Sequence, residues 1–164
     1  MGESMIIAQL TDIHIGFVDE HKVCQNTPRL KRVIDEIMRM VLKPDLVLLT
    51  GDLVESGERW AYDILREELK ALDIPTHYAL GNHDNREVFA TCFPEVPMND
   101  GFVQYVIEDQ PLRIIVLDSL EMGKHGGGFC EVRQAWLDKT LAQAQIGLRS
   151  LRCIIPRLKQ GLLG

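Results

Sequence analysis

Leu46-Val47-Leu48-Leu49-Thr50-Gly51-Asp52 is the stretch that decides the fold. Its aliphatic run is short and unbroken, and it stops on a glycine and a carboxylate. A run of this kind reads as a strand covered on both faces. Such strands lie in parallel sheets, where each neighbour arrives through a crossover, usually a helix. The flanks supply the crossovers. Upstream, Thr27-Pro28 reads as a helix start, with a hydroxyl at the N-cap and proline at the first helical position. Leu30, Val33, Ile34, Ile37, Met38 and Val41 then recur at helical spacing, and Pro44 closes the helix. Downstream, Trp60 to Leu72 reads as a helix with Ile64, Leu65, Leu69 and Leu72 on one face. Beyond these helices, the apolar run Met5 to Leu10 reads as a buried strand and Pro75 to Leu80 as a third strand. The order is strand, helix, strand, helix, strand: an α/β chain built on a βαβαβ parallel sheet.

The second half opens differently. After a short helix at Glu87 to Phe93, Phe102 to Glu108 and Arg113 to Asp118 read as two strands of a hairpin turning at Asp109-Gln110-Pro111. Val132 to Ala144 then reads as a helix, with Ala135, Trp136, the stem of Lys139 and Leu141 near one face.

Composition narrows the function. The 164 residues suit one domain, and 46% apolar with 26% charged residues excludes a disordered or collagen-like chain. The formal charge of −6 disfavours binding of long nucleic acid and suits a protein that gathers carboxylates around cations. No apolar run reaches the ~18 residues of a membrane span. Met1-Gly2-Glu3-Ser4 has no basic stretch, and the apolar run after it is too short for a signal peptide. The expectation is a soluble cytoplasmic protein with no membrane partner. Cys24, Cys92, Cys130 and Cys153 are widely spaced without a C-x-x-C pair, so they read as free thiols.

Polar motifs stand where the three strands stop. They are Thr11-Asp12-Ile13-His14, Gly51-Asp52-Leu53-Val54-Glu55-Ser56-Gly57 and Gly81-Asn82-His83-Asp84. In an open parallel sheet the ligand crevice lies outside the carboxyl ends of the strands, so all three would face it. Asp12 and His14, two apart, share a side in an extended segment and make an O/N donor pair suited to Mn, Fe or Zn. Asp52 has two oxygens and can bridge two cations. Asn82 offers an amide oxygen, and His83 an imidazole able to donate a proton or hold a phosphoryl oxygen. Singly these motifs are ordinary: a loop pair, a helix cap, a turn. In this order, on successive strand ends, they point to a metal-assisted reaction.

D-x-H, G-D-x-x-x-x-G and G-N-H-D together resemble the calcineurin-like metallophosphoesterase superfamily. Leu10 to His14, Ile115-Val116-Leu117-Asp118-Ser119 and Gln134-Ala135-Trp136-Leu137 resemble its bacterial cyclic-nucleotide and glycerophosphodiester phosphodiesterase branch. The likeness runs from about Met5 to about Ala144. It implies the N-terminal part of an α/β sandwich, with two divalent metal ions (Fe, Mn, Zn or Co) between two sheets. It implies that Asp12 and His14 ligate the first metal, Asp52 bridges both and Asn82 ligates the second. His83 would contact the phosphate and assist the leaving group, and Asp84 would orient that loop. The implied chemistry is in-line attack on phosphorus by a metal-activated hydroxide, with a small phosphodiester as substrate.

The same resemblance implies further ligands: a His-His-Pro-Pro after the Trp136 helix, and a later Gly-His-x-His. This sequence has no histidine after His125. His125 reads as a loop residue at the substrate mouth, and His21 and His77 as structural or solvent-facing. The expectation is therefore an incomplete phosphoesterase domain over residues 1–146 and an atypical tail over residues 147–164. The tail has four basic residues, Arg149, Arg152, Arg157 and Lys159, and no acidic one. Cys153-Ile154-Ile155-Pro156-Arg157 stands where His-His-Pro-Pro is implied. Read from the third base of each codon, those residues can spell His-His-Pro-Pro. The tail is then either the product of a shifted reading frame or a divergent strand with a basic end. Two functions follow. One is phosphodiester hydrolysis, impaired by truncation. The other is an inactive fragment that binds at most one metal or self-associates as a homo-oligomer through an uncovered sheet.

Overall fold

The computed structural model of the chain describes residues 4–18, 20, 24–109, 112–143 and 151–154. His21, the turn at Gln110-Pro111, the boundary near residue 146 and most of the tail lie outside them. The three apolar runs of the first half form β1 (Ile7–Leu10), β2 (Leu46–Thr50) and β3 (Thr76–Ala79), joined by α1 (Asn26–Arg39) and α2 (Arg59–Leu69). They pair in parallel in the order β1-β2-β3, with Leu10 beside Leu49 and Thr50 beside Ala79. β2 is central and buried along its whole length. β1 stands at the edge of this sheet and is only partly buried, with Gln9 exposed, so the expectation of a buried first strand is corrected.

α1 begins two residues before the expected start. Gln25 is its N-cap and provides no side-chain cap, while Pro28 sits inside the first turn. Proline costs nothing there, because the first N–H groups of a helix have no intrahelical acceptor. The helix stops at Arg39, short of Pro44, and leaves Val41 fully exposed. Leu30, Ile34 and Ile37 form its buried stripe. α2 buries Ala61, Tyr62, Leu65 and Leu69, and Leu72 lies past its end.

α3 (Arg86–Cys92) follows β3, capped by Asn85, whose side-chain oxygen accepts from the N–H groups of Glu87 and Val88. β4 (Tyr105–Asp109) and β5 (Leu112–Val116) are the expected antiparallel hairpin, with Tyr105 opposite Val116. After α4 (Glu131–Ala142), β6 (Leu151–Ile154) adds to β5 in parallel and completes a second sheet, β4-β5-β6. The Tyr105 hydroxyl joins the two sheets: it accepts from Tyr78 N–H and donates to Tyr78 C=O, closing the outer edge of β3. α4 does not bury the face expected of it. Arg133 and Thr140 are buried, whereas Ala135, Lys139 and Leu141 are exposed. The Arg133 guanidinium donates to the Asp118 carbonyl and lies over the rings of Phe102 and Phe129, so a cation rather than an aliphatic stripe seats this helix. Among the described residues Cys24, Cys92 and Cys130 are free thiols, and no helix is long and apolar enough to cross a membrane.

Candidate metal centre

The loops after β1 and β2 are stitched together by their backbones. Asp12 N–H donates to Gly51 C=O at 3.2 Å, His14 N–H to Asp52 C=O at 2.9 Å and Ile15 N–H to Leu53 C=O at 3.1 Å. Ile15 and Val54 then form an isolated parallel bridge. This continuation bends sharply. Asp12, His14 and Asp52 all adopt left-handed backbone, with φ of 54°, 48° and 47°. That conformation costs a non-glycine residue about 1–3 kcal/mol, and such strain concentrates at functional sites. Its effect here is to aim three donor side chains at one point.

Donor atoms of Asp12, His14 and Asp52 lie within 4.8 Å of one another, a spacing at which one cation could be held. His14 Nε2 is 3.7 Å from Asp52 Oδ2. The other Asp52 oxygen accepts from His83 N–H at 3.0 Å, which fixes the carboxylate against the third motif. The Asp52 side chain is nearly buried, and Gly81 packs directly on it. Two carboxylates and an imidazole are a donor set that Mn, Fe, Zn or Co accepts. On the other side of the ring, His14 Nδ1 is shielded from solvent and has no aligned hydrogen-bond partner, although Glu55 Oε2 stands 2.7 Å away.

Asn82 and His83 form the turn after β3, both half-buried. His83 Nδ1 lies 2.8 Å from the Glu55 main-chain oxygen, and its ring meets that of His14 edge-on, with centroids 4.7 Å apart. Asp84 is buried and points away from the crevice. Its carboxylate accepts from the N–H groups of Leu53, Val54 and Gly81 and from the Tyr62 hydroxyl. Burial pushes the Asp84 carboxyl up to about 7, while the hydrogen bonds from Gly81, Leu53, Tyr62 and Val54 pull the other way. Asp84 therefore ties the loop after β2 to the loop after β3, next to His83.

Sequence reasoning passed over Glu55. It stands in a variable position of the G-D-x-x-x-x-G stretch, and its donors fall within 4.8 Å of those of His14 and His83. The one available signal was its carboxylate three residues after Asp52. The same residues, with Phe17, Asn26 and Arg29, line a cleft of about 310 Å³. His77, on β3, packs its ring 6.2 Å from that of Tyr105, and His125 is exposed in its glycine-rich loop.

A probable glycerophosphodiester phosphodiesterase of Arcobacter nitrofigilis is 39% identical over 147 residues, covering 84% of this chain and 52% of its own. A probable cyclic nucleotide phosphodiesterase of Rhodopseudomonas palustris is 40% identical over 141 residues, covering 82% and 51%. The 3',5'-cyclic adenosine monophosphate phosphodiesterase of Escherichia coli is 27% identical over 147 residues, covering 87% and 52%. The chain thus spans about half the length of these relatives. Residues 5–142, which carry all three strand-end motifs, match the calcineurin-like phosphoesterase family as a whole, and the chain belongs to that family.

Proposed function

We propose that this chain carries the N-terminal part of a metal-dependent phosphodiesterase acting on a small phosphodiester, a cyclic nucleotide or a glycerophosphodiester. The observation that carries the reading is the convergence of Asp12, His14 and Asp52 on one point through three left-handed residues at strand ends. The family generally binds two divalent cations, and the names of the relatives support the substrate class.

Asp12, His14 and Asp52 would hold the first cation, and Asp52 and Asn82 would reach the second. Bound cations supply an acidified water and offset the negative charge of the phosphoryl oxygens. The chain's own residues do the rest. His83 has Nδ1 against a carbonyl, which leaves Nε2 for the substrate; as the imidazolium, protonated on both nitrogens, it would donate to a phosphoryl oxygen or give the Nε2 proton to the leaving alkoxide. Asp84 keeps that imidazole at its station by fixing the turn beneath it. The domain is read as running through residue 146, with residues 147–164 as a tail.

The test is Mn²⁺ binding by calorimetry, together with hydrolysis of bis(p-nitrophenyl) phosphate. Mn²⁺-dependent turnover is expected for the wild-type chain, and Asp52→Ala is expected to lower Mn²⁺ affinity at least 100-fold, a loss of about 3 kcal/mol. Turnover that survives Asp52→Ala would sink the site assignment. One observation favours a second reading. No histidine follows His125, so this chain brings few donors to a second cation. Binding of one Mn²⁺ without turnover would mark an inactive fragment, and a defined dimer by light scattering would mark a self-associating module.

A further inference from the structure

We infer that Glu55 is a positioning residue for both imidazoles of the site: its carboxylate sets the tautomer of His14 and its main-chain carbonyl sets that of His83. This rests on the proposed roles of His14 and His83. The His14 ring stands between two carboxylates, Nδ1 at 2.7 Å from Glu55 Oε2 and Nε2 at 3.7 Å from Asp52 Oδ2. An ionised carboxylate only accepts, so the imidazole proton goes to the nitrogen with the closer carboxylate. That nitrogen is Nδ1. The Nε2 lone pair then faces Asp52, a member with Asp12 of the donor group around His14. A carboxylate behind a metal-binding histidine fixes ring and tautomer in this way. The contact is short but off-line for a hydrogen bond, so Glu55 acts on Nδ1 through the negative charge of its oxygen, which a glutamine oxygen carries in part.

The second imidazole is set by the same residue through a different group. His83 Nδ1 lies 2.8 Å from the Glu55 carbonyl oxygen. A carbonyl has no hydrogen to give, so Nδ1 carries the proton and Nε2 is free for the cleft. The backbone puts Glu55 in reach of both rings. Glu55 N–H donates to Ile15 C=O at 3.0 Å, and Val54 bridges Ile15, the residue after His14. Glu55 thus follows the loop of His14 wherever it goes.

The test reads ring tautomers by long-range ¹H–¹⁵N correlation in the metal-free chain at about pH 8.5, where ordinary imidazoles are neutral. Wild type is expected to show Nδ1–H for both His14 and His83. In Glu55→Ala, His14 is expected to move to the Nε2–H form that free imidazole prefers, while His83 stays, because its acceptor is main chain. Glu55→Gln, which keeps an acceptor oxygen, is expected to restore the wild-type form of His14. Zinc affinity by calorimetry is expected to fall about 10–100-fold in Glu55→Ala and to recover in part in Glu55→Gln. An unchanged His14 tautomer in Glu55→Ala overturns the inference. So does a wild-type His14 protonated at Nε2, or a zinc-induced shift at His14 Nδ1 instead of Nε2. If Glu55→Ala fails to fold, the Glu55→Gln tautomer decides: Nδ1–H for His14 supports the inference and Nε2–H overturns it. If zinc does not bind the wild-type chain, the metal-centre reading fails, and the tautomer comparison still decides what Glu55 does.

Discussion

Gly81 has no side chain because Asp52 occupies the place where one would stand. A Cβ built on Gly81 falls on Asp52 Oδ1 and on the Asp52 backbone nitrogen. A backbone atom cannot swing aside as a flexible side-chain tip can, so Gly81→Ala must push the two motif loops apart. We expect it to destabilise the chain by about 1–3 kcal/mol, as overpacking does elsewhere, and to weaken Mn²⁺ binding with it. Urea denaturation checks the first and calorimetry the second; an unchanged midpoint with full Mn²⁺ affinity would show that the two loops are not rigidly opposed. Most of the candidate site was legible at this scale. Asp12, His14, Asp52 and His83 have side chains of the types that bind metals or move protons, and the strand ends put them on one side of one sheet. Glu55 was not legible, because its place depends on the bridge between Ile15 and Val54, a tertiary pairing that leaves no pattern in the sequence. The left-handed backbone at Asp12, His14 and Asp52 was equally silent, since a carboxylate or imidazole does not advertise φ as glycine does.

At the scale of elements, Asp118 is the joint between α3, α4 and the end of the second sheet. It is fully buried. Its carboxylate takes Arg86 Nε at 2.6 Å and Arg86 NH2 at 2.8 Å, and it accepts from the N–H groups of Val103 and Leu120. Phe102 is clamped between the guanidiniums of Arg86 and Arg133. Removing one member of a buried pair leaves the other charge without compensation, which typically costs about 3–5 kcal/mol. Asp118→Ala is expected to lose that much in urea denaturation. It should also lower Mn²⁺ affinity, because Arg86 opens the helix that directly follows the Asn82-His83-Asp84 turn. A loss below about 1 kcal/mol would show that the cluster is a surface pair in effect. This joint explains where the helix readings went wrong. Periodicity assigns a helix face by apolar spacing; α2 obeys it, and α1 does so at Leu30, Ile34 and Ile37 while Val33 stays exposed. α4 does not, since Arg133 binds the chain by hydrogen bonds and ring contacts, and a count of apolar positions does not register a buried cation.

For the whole molecule, the parallel sheet was readable because Leu46 to Leu49 of β2 are all aliphatic, as a strand covered on both faces needs. The two sides of this sheet differ. The Tyr105 hydroxyl closes the β3 edge, whereas beside β1 a groove of about 470 Å³ runs past Leu10, Ile13, Leu30 and Val33. The strand β6 bears on the tail. It pairs in parallel with β5, from Arg113 beside Leu151 to Val116 beside Ile154, so a strand does follow α4 where the family resemblance expects one. That strand ends within Cys153-Ile154-Ile155-Pro156, the residues that stand in place of a His-His-Pro-Pro. A strand precedes the place where the resemblance implies imidazoles, and the residues there carry none. A reading frame shifted by one base resolves the conflict without moving the chain, since the codons of Cys, Ile, Ile and Pro can be read from their third bases as His, His, Pro and Pro. Sequencing the coding DNA from the Trp136 codon onward is therefore decisive. The shifted frame is expected to spell His-His-Pro-Pro and to continue to a Gly-His-x-His. Repairing the frame should then add imidazole donors to the cations that Asp12, His14, Asp52 and Asn82 are proposed to hold, and raise Mn²⁺ affinity. A shifted frame that meets a stop or spells no histidine would show that the tail is native, and that any further ligands come from elsewhere or the site works with fewer.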